Sequence, residues 1–306
     1  MPKLPDAARL RHLAAVVRCG SYSVAAESLA ISQPALSKSV RALERECGVR
    51  LLDRGRFGAV PTVFGTALAR RSDVVDAELR MAREEIQTLS SGKIGRVIIG
   101  CGPSEATRLL PIALGRVLAR TPALRVQVLY GLNAELLPML KHGDIDFALS
   151  SIPARSVDPD VKHVQLHEDR AAVIVRRGHP LLAARKPVTV EKLVGREWIL
   201  ARHEELERRA LDDMFVQAGL PPPEATIETT SAVLMKTVIM QSNHLTFLPR
   251  ELVHLEEKWG LVGAVKLVAA DWRRLVGVTL RARGLASAAA EAIISELRAV
   301  AGLLYT

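Results

Sequence analysis

Long apolar runs are missing from this chain. The longest are short and broken by Arg, Lys, Asp or Pro, and none approaches the ~18 to 20 residues that a membrane-spanning helix needs. Cysteine is scarce: Cys19, Cys47 and Cys101 are odd in number and far apart. That argues against a disulfide framework and against a zinc finger. Cys101 is the only thiol after Cys47, which rules out a two-thiol switch within the C-terminal part. The three read as buried or incidental thiols. There is no biased tract, no low-complexity segment and no internal repeat, and 25% charged residues argue against intrinsic disorder. Met1-Pro2-Lys3-Leu4-Pro5-Asp6 is not followed by an apolar core and a small-residue cleavage site, so the cytoplasm is the expected compartment.

What is present is a chain of 306 residues, 49% hydrophobic, long enough for about two domains with substantial cores. The formal net charge of +9 suits a polyanionic partner. Residues 1–92 carry 14 Lys+Arg against 10 Asp+Glu, an excess of +4, and the remainder carries 28 against 23, an excess of +5. The excess is denser at the N-terminus without being confined there, so charge supports nucleic-acid binding and does not establish it.

The pattern of apolar residues makes that partner concrete. Leu10, Leu13, Ala14 and Val17 fall on one helical face, and Gly20 stops that helix. Ser21 or Ser23 can cap a second helix, Val24 to Leu29, in which the small Ala25 and Ala26 let a crossing helix come close. After a turn at Ala30-Ile31, Ser32 is a good N-cap, Pro34 stands where its missing N–H costs little, and Gly48 lies just past the end near Glu46. This third helix has an inward stripe of Leu36, Val40, Leu43 and Cys47. Its opposite stripe is Pro34, Ser37, Lys38, Arg41 and Arg45. Two helices joined by a short turn, the second with a polar, basic outer face, make a helix-turn-helix whose second helix enters the major groove. Gln33 and Ser37 can then reach base edges, with Pro34 on the same DNA-facing side, while Lys38 and Arg41 can reach phosphate or guanine. Between Leu51 and Thr62, Gly55 and Gly58 suggest a β-hairpin wing whose Arg54 and Arg56 point at the sugar-phosphate backbone.

The run Gly20-Ser21-Tyr22-Ser23-Val24-Ala25-Ala26-Glu27-Ser28-Leu29, then Ser32-Gln33-Pro34-Ala35-Leu36-Ser37, Leu43-Glu44 and Leu51-Leu52-Asp53-Arg54, closely resembles the signature of LysR-type transcriptional regulators. Pro61-Thr62-Val63-Phe64-Gly65 is similar to that family's Leu-Thr-x-x-Gly entry into a linker helix, with Pro61 in place of Leu. From Phe64 onward Leu68, Val75, Leu79, Ala82, Ile86 and Leu89 recur at spacings close to a coiled-coil seam. A helix over residues 64–90 spans about 40 Å and is poorly stabilised alone. The resemblance implies dimeric linker pairing and commonly tetramers, hence a homodimer or homotetramer on a two-fold-related stretch of double-stranded DNA, with RNA polymerase as a further partner compatible with that role.

From Lys93 on, short β-branched strands alternate with helices, as in an α/β domain with parallel strands. Strands read at Arg96 to Gly100, Arg125 to Tyr130 and Asp146 to Ser150, with helices running to Ala119 and from Ala134 to His142. Further strands read at Ala172 to Val175, Glu197 to Leu200, Ala225 to Thr229, Leu245 to Leu248 and Arg274 to Leu280, with helices from Ser231 and over Ala286 to Leu303. Ligands of open sheets bind beyond the carboxyl ends of strands, where helix N-termini favour an anion such as a carboxylate. That makes Gly102, Ser104, Asn133 and Ser151 pocket candidates, each equally readable as a cap or turn residue. Arg202, His203, Thr230 and Ser231 are candidates on the far side of the cleft, although Arg202 and His203 also read as ordinary surface residues.

Gly143-Asp144-Ile145-Asp146-Phe147-Ala148, His179-Pro180-Leu181 and Leu248-Pro249 occur in an order that looks like the periplasmic-binding-protein-like effector domain of LysR-type regulators. Where that family often has Gly-x-Gly, Ser242-Asn243-His244 stands instead, and Asn243 is the expected left-handed turn residue. The expected fold is multidomain. An all-α winged helix-turn-helix (1–63) and a long linker helix (64–92) precede an α/β effector domain (93–306) of two Rossmann-like subdomains. The first subdomain covers about 93–167 and 271–306, the second about 168–270.

Enzyme readings fare poorly. Gly100-Cys101-Gly102 lacks the third glycine of a dinucleotide fingerprint, because that position is Glu105. No Gly-x-Ser-x-Gly elbow occurs, and His163 and His167 lie in an extended stretch without a third ligand. No catalytic residue, metal or cofactor is expected. The expected function is a DNA-binding regulator sensing a small molecule between its two subdomains. A reading from another class is an effector-independent repressor or architectural protein whose C-terminal domain only oligomerises.

Overall fold

The structure is a computed structural model and describes residues 6–55, 58–91, 95–153, 158–268, 272–283 and 286–305. Helices α1 (Ala7–Cys19), α2 (Tyr22–Ser28) and α3 (Gln33–Cys47) are followed by the hairpin β1 (Leu52–Gly55) and β2 (Gly58–Pro61). Each helix end has a local cause. The Asp6 carboxylate accepts the Ala8 N–H, Ser32 Oγ accepts the Ala35 N–H, and Gly20 and Gly48 close α1 and α3 in the left-handed region. Leu36, Val40 and Leu43 of α3 are buried together with Leu13, Val16, Ala25 and Ala26. At Gly58 the wing crosses the α1–α2 turn so closely that a Cβ would stand 2.2 Å from the Gly20 carbonyl oxygen, which accepts the Ala59 N–H.

Helix α4 (Val63–Ser91) begins where Thr62 Oγ1 accepts the Gly65 N–H at 3.1 Å. Its first turns pack on α1, with Ala69 buried and Leu68 against the same core. Further along it is tied at both sides. Arg11 of α1 pairs with Asp76 at 2.8 Å, Arg70 pairs with Asp160 at 3.2 Å, and His142 approaches Asp73 at 3.5 Å. Val75, Leu79, Ala82 and Ile86 remain exposed.

The C-terminal part runs β3 (Arg96–Cys101), α5 (Leu109–Arg120), β4 (Arg125–Tyr130), α6 (Asn133–His142), β5 (Phe147–Ile152), β6 (Val161–Arg176), β7 (Ile199–Leu200), α7 (Leu206–Gln217) and β8 (Ile227–Glu228). It continues through α8 (Ala232–Gln241), β9 (Thr246–Pro249), α9 (His254–Lys258), β10 (Val262–Ala264), β11 (Arg273–Arg281) and α10 (Ala288–Leu304). The main sheet is mixed, in the order β10-β6-β11-β5-β3-β4, with β9 also on β6. Only β4, β3 and β5 run parallel within it; β11, β9 and β10 pair antiparallel. The parallel pattern expected from the sequence therefore holds for these three strands and for the separate pair β7 and β8, while returning strands close the main sheet.

One element was not legible as such. The strand expected at Ala172 to Val175 is only the far end of the 16-residue β6. Its first half, Val161 to Arg170, pairs with β11, and its second half pairs with β9 and β10. β6 thus belongs to two lobes, with separate cores on either side of the crossing. One core gathers Val97, Ile99, Phe147 and Leu149 with Ile293 and Leu297 of α10. The other gathers Val173, Val175, Trp198, Leu211, Phe215 and Phe247. The turn at Asn243 differs from expectation: Ala30 is the only non-glycine at positive φ among the described residues. Asn243 Oδ1 instead accepts from Arg176 Nε at 3.0 Å, so its side chain, not a left-handed backbone, braces that turn.

Gly65 offers a test of how the wing and the linker are joined. A Cβ there would stand 1.9 Å from the Leu51 carbonyl oxygen. Helix propensity alone would have Gly65→Ala stabilise α4 by up to ~1 kcal/mol. The close approach reverses the sign, and denaturant unfolding should show a loss of about 1–3 kcal/mol. A stabilised variant would refute the packing assigned here.

Candidate nucleic-acid interface and ligand cleft

The exposed side of α3 carries Gln33, Pro34, Lys38 and Arg41, with Ser37 half-buried at its edge. These five residues border a single open concavity together with Arg45 and Arg50. The helix cannot roll this face inward, because Leu36, Val40 and Leu43 are fully buried behind it. Glu44 fixes the wing to the same helix: its Oε1 accepts the Leu51 and Leu52 N–H groups at 2.9 and 3.2 Å. Arg56 and the Arg54 side chain lie outside the described residues.

Between the two lobes of the C-terminal part lies a cleft of about 390 Å³. The carboxyl ends of β3 and β5 and the start of α6 bring Gly102, Ser104, Asn133 and Ser151 to one wall, and Thr230 comes from the other lobe. Asn133 Nδ2 donates to both the carbonyl oxygen and Oγ of Ser151, each at 2.8 Å, which locks these two side chains together. Arg202, His203 and Ser231 do not line the cleft. His203 Nδ1 faces Asp212 Oδ2 at 3.3 Å, and Ser231 Oγ is occupied as the cap of α8, accepting the Leu234 N–H. Both Arg202 and His203 are exposed.

Sequence reading missed the groups that dominate the cleft floor. Arg274, on β11, stands in register with Asp169 on β6 and donates from Nη2 to Asp169 Oδ2 at 3.0 Å. The same Nη2 donates to Glu105 Oε1 at 3.0 Å, and Nη1 reaches Glu207 Oε1 at 3.4 Å. Glu105 comes from the turn after β3 in one lobe and Glu207 from α7 in the other, so one guanidinium ties both lobes to the crossing strands. Glu105 is 2% exposed, and its second oxygen, Oε2, has no hydrogen-bond partner. It packs over Gly102, where a Cβ would come within 2.4 Å of it. Burial holds the Glu105 carboxyl above the ordinary glutamate range, and Arg274 only partly offsets this. The one clue was Glu105 itself, standing where a dinucleotide fingerprint would need glycine.

A second tie lies beside the cleft. Arg108 forms a two-point pair with Glu251, at 2.7 and 3.0 Å, and lies over the Tyr305 ring at 5.1 Å. Tyr305 in turn stacks on His167 with ring centroids 3.7 Å apart. The thiol of Cys101 is buried and pushed up by that burial, which suits an inert core residue and not a reactive one. Among the described residues no cluster of His, Cys, Asp and Glu could hold a metal.

A helix-turn-helix head, a long helical linker and a two-lobed domain with a cleft define a DNA-binding regulator with a sensor domain. Residues 7–66 match the bacterial regulatory helix-turn-helix protein of the lysR family, and residues 90–302 match the LysR substrate binding domain. The chain belongs to the LysR family of transcriptional regulators. It is 32% identical over 248 residues to the HTH-type transcriptional regulator GbpR of Rhizobium radiobacter, covering 79% of this chain and 81% of that one. It is 30% identical to the SDS degradation transcriptional activation protein of a Pseudomonas species, over 94% of both chains. In fold it resembles a full-length OxyR variant from Pseudomonas aeruginosa, with a TM-score of 0.64 and 20% identity over 97% of this chain and 95% of that one.

Removing the shared guanidinium should leave buried carboxylates uncompensated. Arg274→Ala is expected to cost about 3–5 kcal/mol in chemical denaturation. Glu105→Gln tests the raised carboxyl. A carboxyl with a raised folded-state pKa adds stability below its unfolded pKa and loses it as pH rises through the folded value. The unmodified protein should therefore gain stability as pH falls from neutral toward the ordinary glutamate range, and Glu105→Gln should lack that gain.

Proposed function

We propose that this regulator works as a pair of chains joined along α4, reads a two-fold-related DNA site with the Gln33–Pro34–Ser37–Lys38–Arg41 side of α3, and responds to a small molecule held between the lobes. The open face of α3 carries this reading. A rod buried on Leu36, Val40 and Leu43 and exposed on a polar, basic side has the shape and charge to lie in a major groove. Arg54 and Arg56 of the wing add sequence-independent affinity for phosphate.

Pairing is supported by α4, where Val75, Leu79 and Ile86 are 39%, 50% and 66% exposed. Coupled chains then meet a DNA site through two heads whose spacing α4 sets. Gly102, Ser104, Asn133, Ser151 and Thr230 supply polar contacts to the ligand. A ligand that binds two lobe arrangements with different affinity shifts their populations, and the heads move with them. RNA polymerase is the machinery on which such a movement acts, and the cytoplasm is the compartment that holds both. No helix of the described residues is long and apolar enough to cross a membrane.

Arg41→Ala should weaken binding to the operator by roughly 1–3 kcal/mol in fluorescence anisotropy if it contacts guanine through two hydrogen bonds. The loss on random DNA should be much smaller; an equal loss on both would reassign Arg41 to phosphate. Leu79→Asp together with Ile86→Asp should give monomers in light scattering and abolish two-site protection of the operator. Retention of the pair would place the interface elsewhere.

A further inference from the structure

Some of the donors around the cleft are already spent. At the start of α6 the Leu132 N–H donates to Glu135 Oε2 at 2.9 Å, and at the start of α8 the Leu234 N–H donates to Ser231 Oγ at 3.3 Å. Arg274, the one cation among the described lining residues, is already shared by Glu105, Asp169 and Glu207. At each of these groups an incoming carboxylate would compete with a partner already in place.

Acceptors are in surplus by contrast. Glu105, Glu204, Glu205 and Glu207 all line the cleft. Glu105 Oε2 is an oxygen sealed from solvent with no hydrogen-bond partner, which a ligand donor at the cleft floor would satisfy. Glu205 feels its neighbours: burial pushes its carboxyl up, and Glu207, Glu135 and Glu204 add to that, while the exposed Arg202 offsets it in part. Bringing a positive charge among them would relieve this mutual repulsion. Leu132, Met235, Phe247 and Leu252 add an apolar stretch of wall.

We propose that the cleft selects an organic cation, a protonated amine on a small body with apolar surface, and rejects carboxylates. This rests on the reading that the space between the lobes is the ligand site. The amine lies among Glu204, Glu205 and Glu207, its apolar body lies against Leu132, Met235 and Phe247, and a donor on the ligand meets Glu105 Oε2.

The test uses the full chain and three matched series of short straight-chain probes: diamines, diols and dicarboxylates. At about tenfold over Kd, a diamine should raise the melting temperature by about 3–6 °C, with dicarboxylates giving no rise and diols a smaller one. Glu204→Gln with Glu205→Gln should weaken diamine binding at least about tenfold in calorimetry while leaving the unliganded melting temperature the same or higher. Dicarboxylates binding more tightly than diamines, or an undiminished diamine response in the double variant, would overturn the assignment of charge and leave the cleft as the ligand site. No response to any of the three series would overturn the proposal and the ligand-site reading together.

Discussion

The guanidinium of Arg274 holds the sensor domain to one arrangement of its lobes. Its carrier strand, β11, lies against β6, and Asp169 faces it across that pairing. From there it reaches Glu105 in one lobe and Glu207 in the other. A buried cluster of this kind is worth little compared with a well-packed apolar substitute, yet it is costly to break halfway. It therefore acts less as a source of stability than as a specification of how the lobes sit, and Glu105, pushed toward its neutral form, is the member most open to change.

Around that centre the protein separates rigidity from space. Beside the cleft, the two-point pair of Arg108 with Glu251 fastens lobe to lobe, and Tyr305, stacked on His167 of its own lobe, lies against the Arg108 guanidinium. Within the cleft, hydrogen-bonding capacity is unevenly spent. Asn133 donates to Ser151, Arg274 is shared among three carboxylates, and carboxylate oxygens remain in excess. The chemistry of the pocket follows from this imbalance more than from any one residue.

How much of this was legible beforehand depended on how local the cause was. The reading head was legible because each of its signals acts within a few residues: the cap at Ser32, the stop at Gly48, the small pair Ala25 and Ala26, the stripe from Leu36 to Leu43. The strands β3, β4 and β5 were legible for the same reason. β6 was not, because a strand shared by two lobes changes its buried neighbours halfway and looks like two separate segments. Arg274 and Glu105 are separated by 169 positions, and nothing in local pattern says that they meet. Ser231 was misplaced by a sound rule applied too far: a serine at a helix start is as often consumed by the cap as offered to a ligand. Arg202 and His203 follow a strand end, as pocket residues do, but their side chains stay on the surface.

Helix α6 has a mechanical consequence. Its first residue, Asn133, stands in the cleft wall, and its last, His142, stands against Asp73 of α4. Ten residues of helix, with Pro138 among them, make a link of about 15 Å between the cleft wall and the linker. Asp73 lies ten residues along a helix of 29, near the end that bears the reading head. Whatever displacement of Asn133 the helix carries therefore reaches α4 between its ties at Arg70–Asp160 and Arg11–Asp76, where the linker is held to both the head and the sensor domain.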